Sequence, residues 1–284
     1  MVRMSVTKKQ SGHGSPARDE ALARSVLYGV LSRALHYPTA ELLREMQSAQ
    51  TQDALSYAAS LLGSLPPEEG TRADRAPAED LPVELAARAD RWARTFPWLT
   101  LESLLDWHGR LFGHTARGPV CPYETEYGAE ALFQQPRQLA RITGFYQAFG
   151  LTLRKGERER ADHASCELEF LEFLSRKEAF ALERQDEAMR EETGTAMRLF
   201  LRDHLGRFGR AFARRLREQD PEGFFGRLGD FLADWLSCEY ARLRIQPGAA
   251  GLPLRSAEDD QVPMACGEDS ESDLVQLQSP SSKD

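Results

Sequence analysis

The stretch "ADHASCELEFLEFLSRKEAF", residues 161–180, sets Asp162, His163 and Glu167 close together. An imidazole and a carboxylate four residues apart share one face of an α-helix, because the helix advances about 100° per residue. Such a pair could hold a metal ion, move a proton, read a ligand, or satisfy its own members at a helix entry. In projection, His163 and Glu167 fall inside a wide apolar arc carried by Leu168, Phe170, Leu171 and Leu174, while Glu169, Glu172 and Arg176 define the solvent stripe. Polar groups in such an arc need partners. Asp162 is read as the N-cap, and a mutual His163–Glu167 pair that locks the helix entry is the plainest reading. A metal site would need further ligands that no His- or Cys-rich segment supplies. A catalytic pair would need a companion nucleophile or cofactor motif, and the chain carries no GxSxG, HExxH, GxGxxG or P-loop signature. A polar spot in an apolar groove, reading a peptide or protein ligand, stays open.

A second unusual stretch is "DWHGRLFGHTARGPVCPYETEYGAEALF", residues 106–133. Trp107, Leu111 and Phe112 share a helical face, and a Pro-rich turn then carries Tyr123, Glu124 and Tyr127. Aromatic rings with a polar tip suit a binding surface, or simply pack the turn onto the body. The cysteines Cys121, Cys166, Cys238 and Cys266 include no CxxC pair, which argues against a disulfide framework or a thiolate metal site. The alternative to a binding protein is a metal- or redox-sensing protein built on His163, Glu167 and the cysteines, with Cys266 in the apolar island "PMACG".

The elements that must position these residues read as helices throughout. Apolar residues recur at three- and four-residue steps from Asp19 to Pro38, and Thr39 caps a second helix to about Leu62. Helices follow at about 83–95, 100–113, 136–149, 162–190, 193–218 and 221–245, with Pro136 and Pro221 in first turns. No alternating β-branched run and no fixed repeat occurs. The fold class expected is all-α: a single compact helical bundle of roughly eight or nine helices with disordered termini. Residues 1–18 are a disordered N-terminal tail, 19–247 the helical domain, and 248–284 an acidic, disordered C-terminal tail.

The net charge of −8 is concentrated in that tail, where residues 256–284 hold eight acids and one lysine. The body is therefore close to neutral. An arginine-rich segment, "MRLFLRDHLGRFGRAFARRLREQ", puts Arg207, Arg210, Arg214 and Arg217 on one face and Leu201, Leu205, Phe208, Phe212 and Leu216 on the other. Nucleic-acid binding is the weaker rival here, because the overall balance is acidic and no reading motif accompanies the arginines. No apolar run approaches the roughly 20 residues that span a bilayer, and the N-terminal residues do not form a secretory signal, so the cytoplasm is the expected location.

Together the two stretches resemble one family, the TorD/DmsD/NarJ-like redox-enzyme maturation chaperones. Its pattern joins an aromatic-x-x-Leu-Phe segment and a Pro-x-Glu-Ser-x-Tyr-like turn to a later Pro-Asp-His-x-x-x-Glu-Leu-x-Phe. Here the turn reads "CPYETEYG" and the later motif "ADHASCELEFL", over a resemblance that covers residues 19–245. The "PYETEYG" form is most similar to chaperones of type II DMSO reductase family molybdoenzymes. Ala161 stands in place of the usual proline, Thr125 in place of serine, and His108 where many relatives carry an aromatic.

The resemblance implies a cytoplasmic chaperone, not an enzyme, with no cofactor of its own. Its partner would be the apo catalytic subunit of a molybdenum oxidoreductase, bound at its twin-arginine signal peptide and held for insertion of the molybdopterin guanine dinucleotide cofactor. Contact with that cofactor or its insertion machinery is also implied, as a monomer or dimer without stable membrane insertion. Carried over by motif, Asp162 and His163 line the peptide site with Glu167 in support. Tyr123, Glu124 and Tyr127 form its wall, with Leu111 and Phe112 beneath.

Overall fold

The computed structural model describes residues 15–64, 81–113, 118–128, 134–153 and 159–255, with backbone only at 81–84. Among these residues the regular structure is helical, with no β-strand. The helices are α1 (Pro16–Leu35), α2 (Ala40–Gln47), α3 (Ala49–Gly63), α4 (Leu81–Ala93), α5 (Leu101–Phe112), α6 (Gln135–Ala148), α7 (Ala164–Arg184), α8 (Glu187–Asp203), α9 (Leu205–Gln219) and α10 (Phe224–Leu243). Helix α1 lies along α7, and α9 along α10. Helices α3 and α4 pack together, α3 against α1 and α4 against α10, while α8 bridges α7 and α9. None of these helices is long and apolar enough to cross a membrane.

The all-α expectation holds, with ten α-helices among the described residues where eight or nine were expected, because the chain breaks where periodicity alone runs on. At Ser48 the backbone turns extended, and its hydroxyl accepts from the Thr51 N–H to start α3. The expected 162–190 helix stops at Arg184, where Gln185 adopts a left-handed conformation and Asp186 caps α8. The expected 193–218 helix breaks at His204, whose φ of −123° and ψ of −103° leave helical space. Pro221 is not in a helical first turn: Asp220 caps the following segment from its carboxylate to the Phe225 N–H at 3.0 Å, and α10 begins at Phe224. At the other end, α1 begins at Pro16, inside the segment assigned to the N-terminal tail.

The core runs through every packed pair. Leu27 and Leu31 of α1 and Leu168, Leu171 and Leu174 of α7 are fully buried, and Leu205, Phe208, Phe212 and Leu216 are the fully buried side of α9. That side is the one the sequence places opposite Arg207, Arg210, Arg214 and Arg217. Helices α9 and α10 approach closely enough that a Cβ on Gly229 would sit 2.5 Å from the Ala213 carbonyl oxygen, so only glycine fits there. Trp92 stacks on Phe231 at 5.6 Å and meets Phe96 edge-on at 5.0 Å, tying α4 to α10. Tyr28 donates to Glu239 at 2.7 Å, and Arg242 bonds the same carboxylate, so the buried charge between α1 and α10 is paired. Glu172, assigned to the solvent stripe of α7, is instead buried between α1 and α7, bonded to Arg176 and 3.8 Å from Arg33.

Residues 248–255, assigned to the tail on composition, lie against the body. The Gly248 N–H donates to the Gly206 carbonyl, Gly128 N–H to Pro253, and Arg255 N–H to Glu126. Residues 256–284, including Cys266, and residues 1–14 lie outside the described part.

Candidate functional site

The site is assembled around the turn at 118–128. Helix α5 is capped at its start by a reciprocal Thr100–Ser103 box and delivers Leu111 and Phe112 at its end. The chain then doubles back: Gly118 N–H donates to Phe112 and Val120 N–H to Leu111. A Cβ on Gly118 would lie 2.2 Å from the Leu111 carbonyl oxygen, so this reversal requires glycine. Glu124–Glu126 form one turn of 3-10 helix, closed by the Tyr127 hydroxyl donating to the Cys121 carbonyl at 2.8 Å.

This turn joins the α7 entry through backbone. Glu124 N–H donates to the Asp162 carbonyl at 2.9 Å and Ala164 N–H to Pro122 at 2.8 Å, an antiparallel bridge centred on Tyr123 and His163. A second bridge pairs Tyr127 with Leu254. The two sequence stretches are therefore one structural unit, although some forty residues separate them.

The N-cap of α7 is His163, not Asp162. The Ser165 N–H donates to His163 Nδ1 at 3.1 Å, and the Ser165 hydroxyl lies 2.7 Å from the same atom. A backbone N–H can only donate, so Nδ1 is the acceptor and the neutral ring carries its proton on Nε2. Nε2 faces Glu159 at 3.4 Å. Burial pushes the imidazole pKa down to about 3, helped by His36, His108 and Arg160 nearby, so the ring stays neutral near pH 7. Tyr123 packs edge-on against it at 5.1 Å and donates its hydroxyl to Glu159 at 3.0 Å.

Asp162, freed from capping, faces the turn. Its Oδ2 accepts from the Thr125 hydroxyl at 2.8 Å and the Thr125 N–H at 3.2 Å, and Arg160 forks onto both carboxylate oxygens at 3.0 and 2.9 Å.

Nor do His163 and Glu167 pair. Glu167 is fully buried, and neither of its oxygens receives a hydrogen bond in the described residues. Its neighbour within bonding reach is another carboxylate, Glu124. Burial, then Glu124 and Asp162, push the Glu167 pKa well above the usual carboxylate range. A protonated Glu167 can donate to Glu124, whereas two ionised carboxylates would repel. Glu124 is anchored from its other side by His204 Nδ1 at 3.0 Å and Arg207 Nε at 3.1 Å. Arg207 also reaches the Glu124 and Tyr127 carbonyls at 3.3 and 3.4 Å, clamping the turn onto the start of α9.

Six of the eight sequence-derived candidates, Leu111, Glu124, Tyr127, Asp162, His163 and Glu167, are thus buried. Tyr123 and Phe112 are half-buried and reach the surface. The rim beside them adds residues that sequence reasoning passed over, Tyr37 just after α1, Glu159 and Arg160, while Trp107, already singled out from the sequence, is exposed on α5. His108 sits beneath, edge-on to Tyr37 at 5.3 Å and to Phe112 at 4.8 Å. His204 and Arg207 were missed as site residues because their segment reads as continuous helix; the "HLG" step, where a histidine and glycine interrupt a Leu-Arg-Phe pattern, was the available signal.

Chemically, the arrangement offers a rigid polar floor under an aromatic and charged rim. Among the described residues no three His, Cys, Asp or Glu side chains converge to hold a metal ion. Burial pushes the Cys166 and Cys238 thiols up to about 12, which disfavours the reactive thiolate.

The family model described as "Nitrate reductase delta subunit" matches residues 78–214, which contain the turn, the α7 entry and Arg207. A curated relative, the chaperone protein TorD of Photobacterium profundum, is 29% identical over 144 residues. That alignment covers 51% of this chain and 65% of the relative, so it spans slightly less than two thirds of the relative's length.

Proposed function

We propose that this chain, which is similar to the TorD/NarJ-like chaperone family, is a maturation chaperone for a redox enzyme, acting by binding rather than by catalysis. Its client would be the apo catalytic subunit of a molybdenum-containing oxidoreductase of the DMSO reductase family. It would hold that subunit in the cytoplasm, in part through the twin-arginine signal peptide, until the molybdopterin cofactor is inserted. The observation that carries this reading is the backbone bridge between Tyr123 and His163, which unites the two family-like motifs under one rim. A signal peptide presents arginines followed by an apolar run. The rim offers carboxylates beside aromatic faces, which suit both parts.

The buried candidates other than Asp162 act in this scheme as the scaffold, and the contacts to a client fall to Phe112, Tyr123 and the rim residues Tyr37, Trp107 and Glu159. Affinity purification of the full chain from its native cytoplasm tests the reading. A molybdoenzyme catalytic subunit should co-purify free of its cofactor, and Trp107→Ala with Tyr123→Ala should reduce its yield without loss of helix content. Co-purification of no such subunit, or undiminished capture by the double variant, would count against the function or the surface respectively.

A further inference from the structure

We propose that Asp162, Thr125 and Tyr123 form a guanidinium receptor whose present occupant is the chain's own Arg160, and that an arginine of a binding partner must displace it. The receptor rests on this geometry alone; the displacement rests on the function proposed above.

Three kinds of contact converge on the Arg160 guanidinium. Nε and Nη2 address the two Asp162 oxygens at 3.0 and 2.9 Å, the planar fork that matches a carboxylate. Nη2 is also 3.0 Å from the Thr125 hydroxyl oxygen and 3.7 Å from Glu126. The guanidinium carbon lies 4.3 Å from the centre of the Tyr123 ring, a cation–π arrangement that favours a flat cation. An ammonium could satisfy the charge but neither the fork nor the ring stacking.

The receptor is built in and the occupant is not. Asp162 is fully buried and Thr125 nearly so, whereas the Arg160 side chain is 42% exposed. Every receptor group keeps a support independent of Arg160. Asp162 retains the Thr125 N–H and hydroxyl, its carbonyl retains the Glu124 N–H, and Tyr123 retains Glu159 and the His163 bridge. Arg160 itself lies outside any helix, two residues from the carboxylate that it binds. Swinging it out breaks no helical hydrogen bond. A tethered arginine of this kind competes at a high effective concentration and raises the affinity threshold for any incoming guanidinium.

Thermal unfolding of the full-length Arg160→Ala variant, in ethylguanidinium chloride or ethylammonium chloride at matched ionic strength, tests the receptor. Ethylguanidinium should raise the variant's melting temperature, ethylammonium should not, wild type should respond little, and adding Asp162→Asn should abolish the gain. Equal responses of variant and wild type, or of the two cations, would overturn the receptor and leave Arg160 as a simple counter-ion. Displacement is read with a synthetic peptide carrying two arginines before an apolar run. Arg160→Ala should bind it roughly tenfold more tightly than wild type, the scale of one charge-assisted hydrogen-bonded contact. Unchanged or weaker binding alongside guanidinium rescue would overturn displacement while supporting the receptor. No peptide binding by either protein, with rescue intact, would refute the signal-peptide part of the proposed function instead.

Discussion

Glu167 is the residue whose replacement separates this account from a simpler one most sharply. The side chain is fully buried, it faces Glu124, and among the described residues no donor reaches either oxygen. Folding therefore favours its protonated form, and its folded pKa lies well above the unfolded value of about 4.3. A raised carboxyl pKa means that the native state holds a proton that the unfolded chain releases. Stability from this group is present in full below about pH 4.3 and is lost as pH rises toward the folded value, by up to ~1.4 kcal/mol per pH unit. Glu167→Gln keeps the shape, can still donate to Glu124, and removes the titration. Between pH 5 and pH 7 the variant should therefore gain up to ~3 kcal/mol relative to wild type. Urea unfolding of both proteins at pH 5, 6 and 7 reads this as a difference that widens with pH. Parallel profiles would refute the reasoning, because they would mean that Glu167 titrates alike in both states.

Two further outcomes follow from neighbouring geometry. Arg207→Ala removes one of the two side chains bonded to the buried Glu124 carboxylate and loosens the turn from α9, at a cost of roughly 3 kcal/mol in denaturant unfolding; a loss under about 0.5 kcal/mol would mean that the clamp is idle. His163 should appear by nitrogen-detected NMR as a neutral ring with its proton on Nε2 from pH 5 to pH 8. Because its folded pKa is depressed to about 3, its stabilising contribution is present above about pH 6.5 and is lost as pH falls below that, opposite in direction to Glu167.

What sequence could convey here follows from the kind of interaction involved. Helix faces were legible because burial repeats with the helical period: the inward side of α9 is Leu205, Phe208, Phe212 and Leu216. The breaks at Ser48 and His204 were not, because each is decided by one residue's backbone angles against tertiary contacts that no window contains. The same limit governs the site. Spacing put Asp162, His163 and Glu167 at one helix entry, and the chain does so. Which of them caps, which bonds the turn and which is buried against a second carboxylate depends on Ser165, Thr125 and Glu124. The last two approach from the 118–128 turn. Glu172 failed for a related reason: its place on the wheel is polar only if nothing covers it, and α1 does.

The Arg255–Glu126 contact also bears on how the chain can be cut. Composition changes at Pro247, and a fragment ending there would look complete by helix content. It would nevertheless remove the Tyr127–Leu254 bridge, the Gly128 bond to Pro253 and the Arg255 guanidinium 3.1 Å from Glu126. The turn would then keep its bridge to α7 and its clamp from His204 and Arg207, but its Tyr127–Gly128 end would be a hinge instead of a wall. A minimal fragment that keeps the rim in register therefore ends no earlier than Arg255, eight residues beyond the point at which its sequence stops looking like a folded protein.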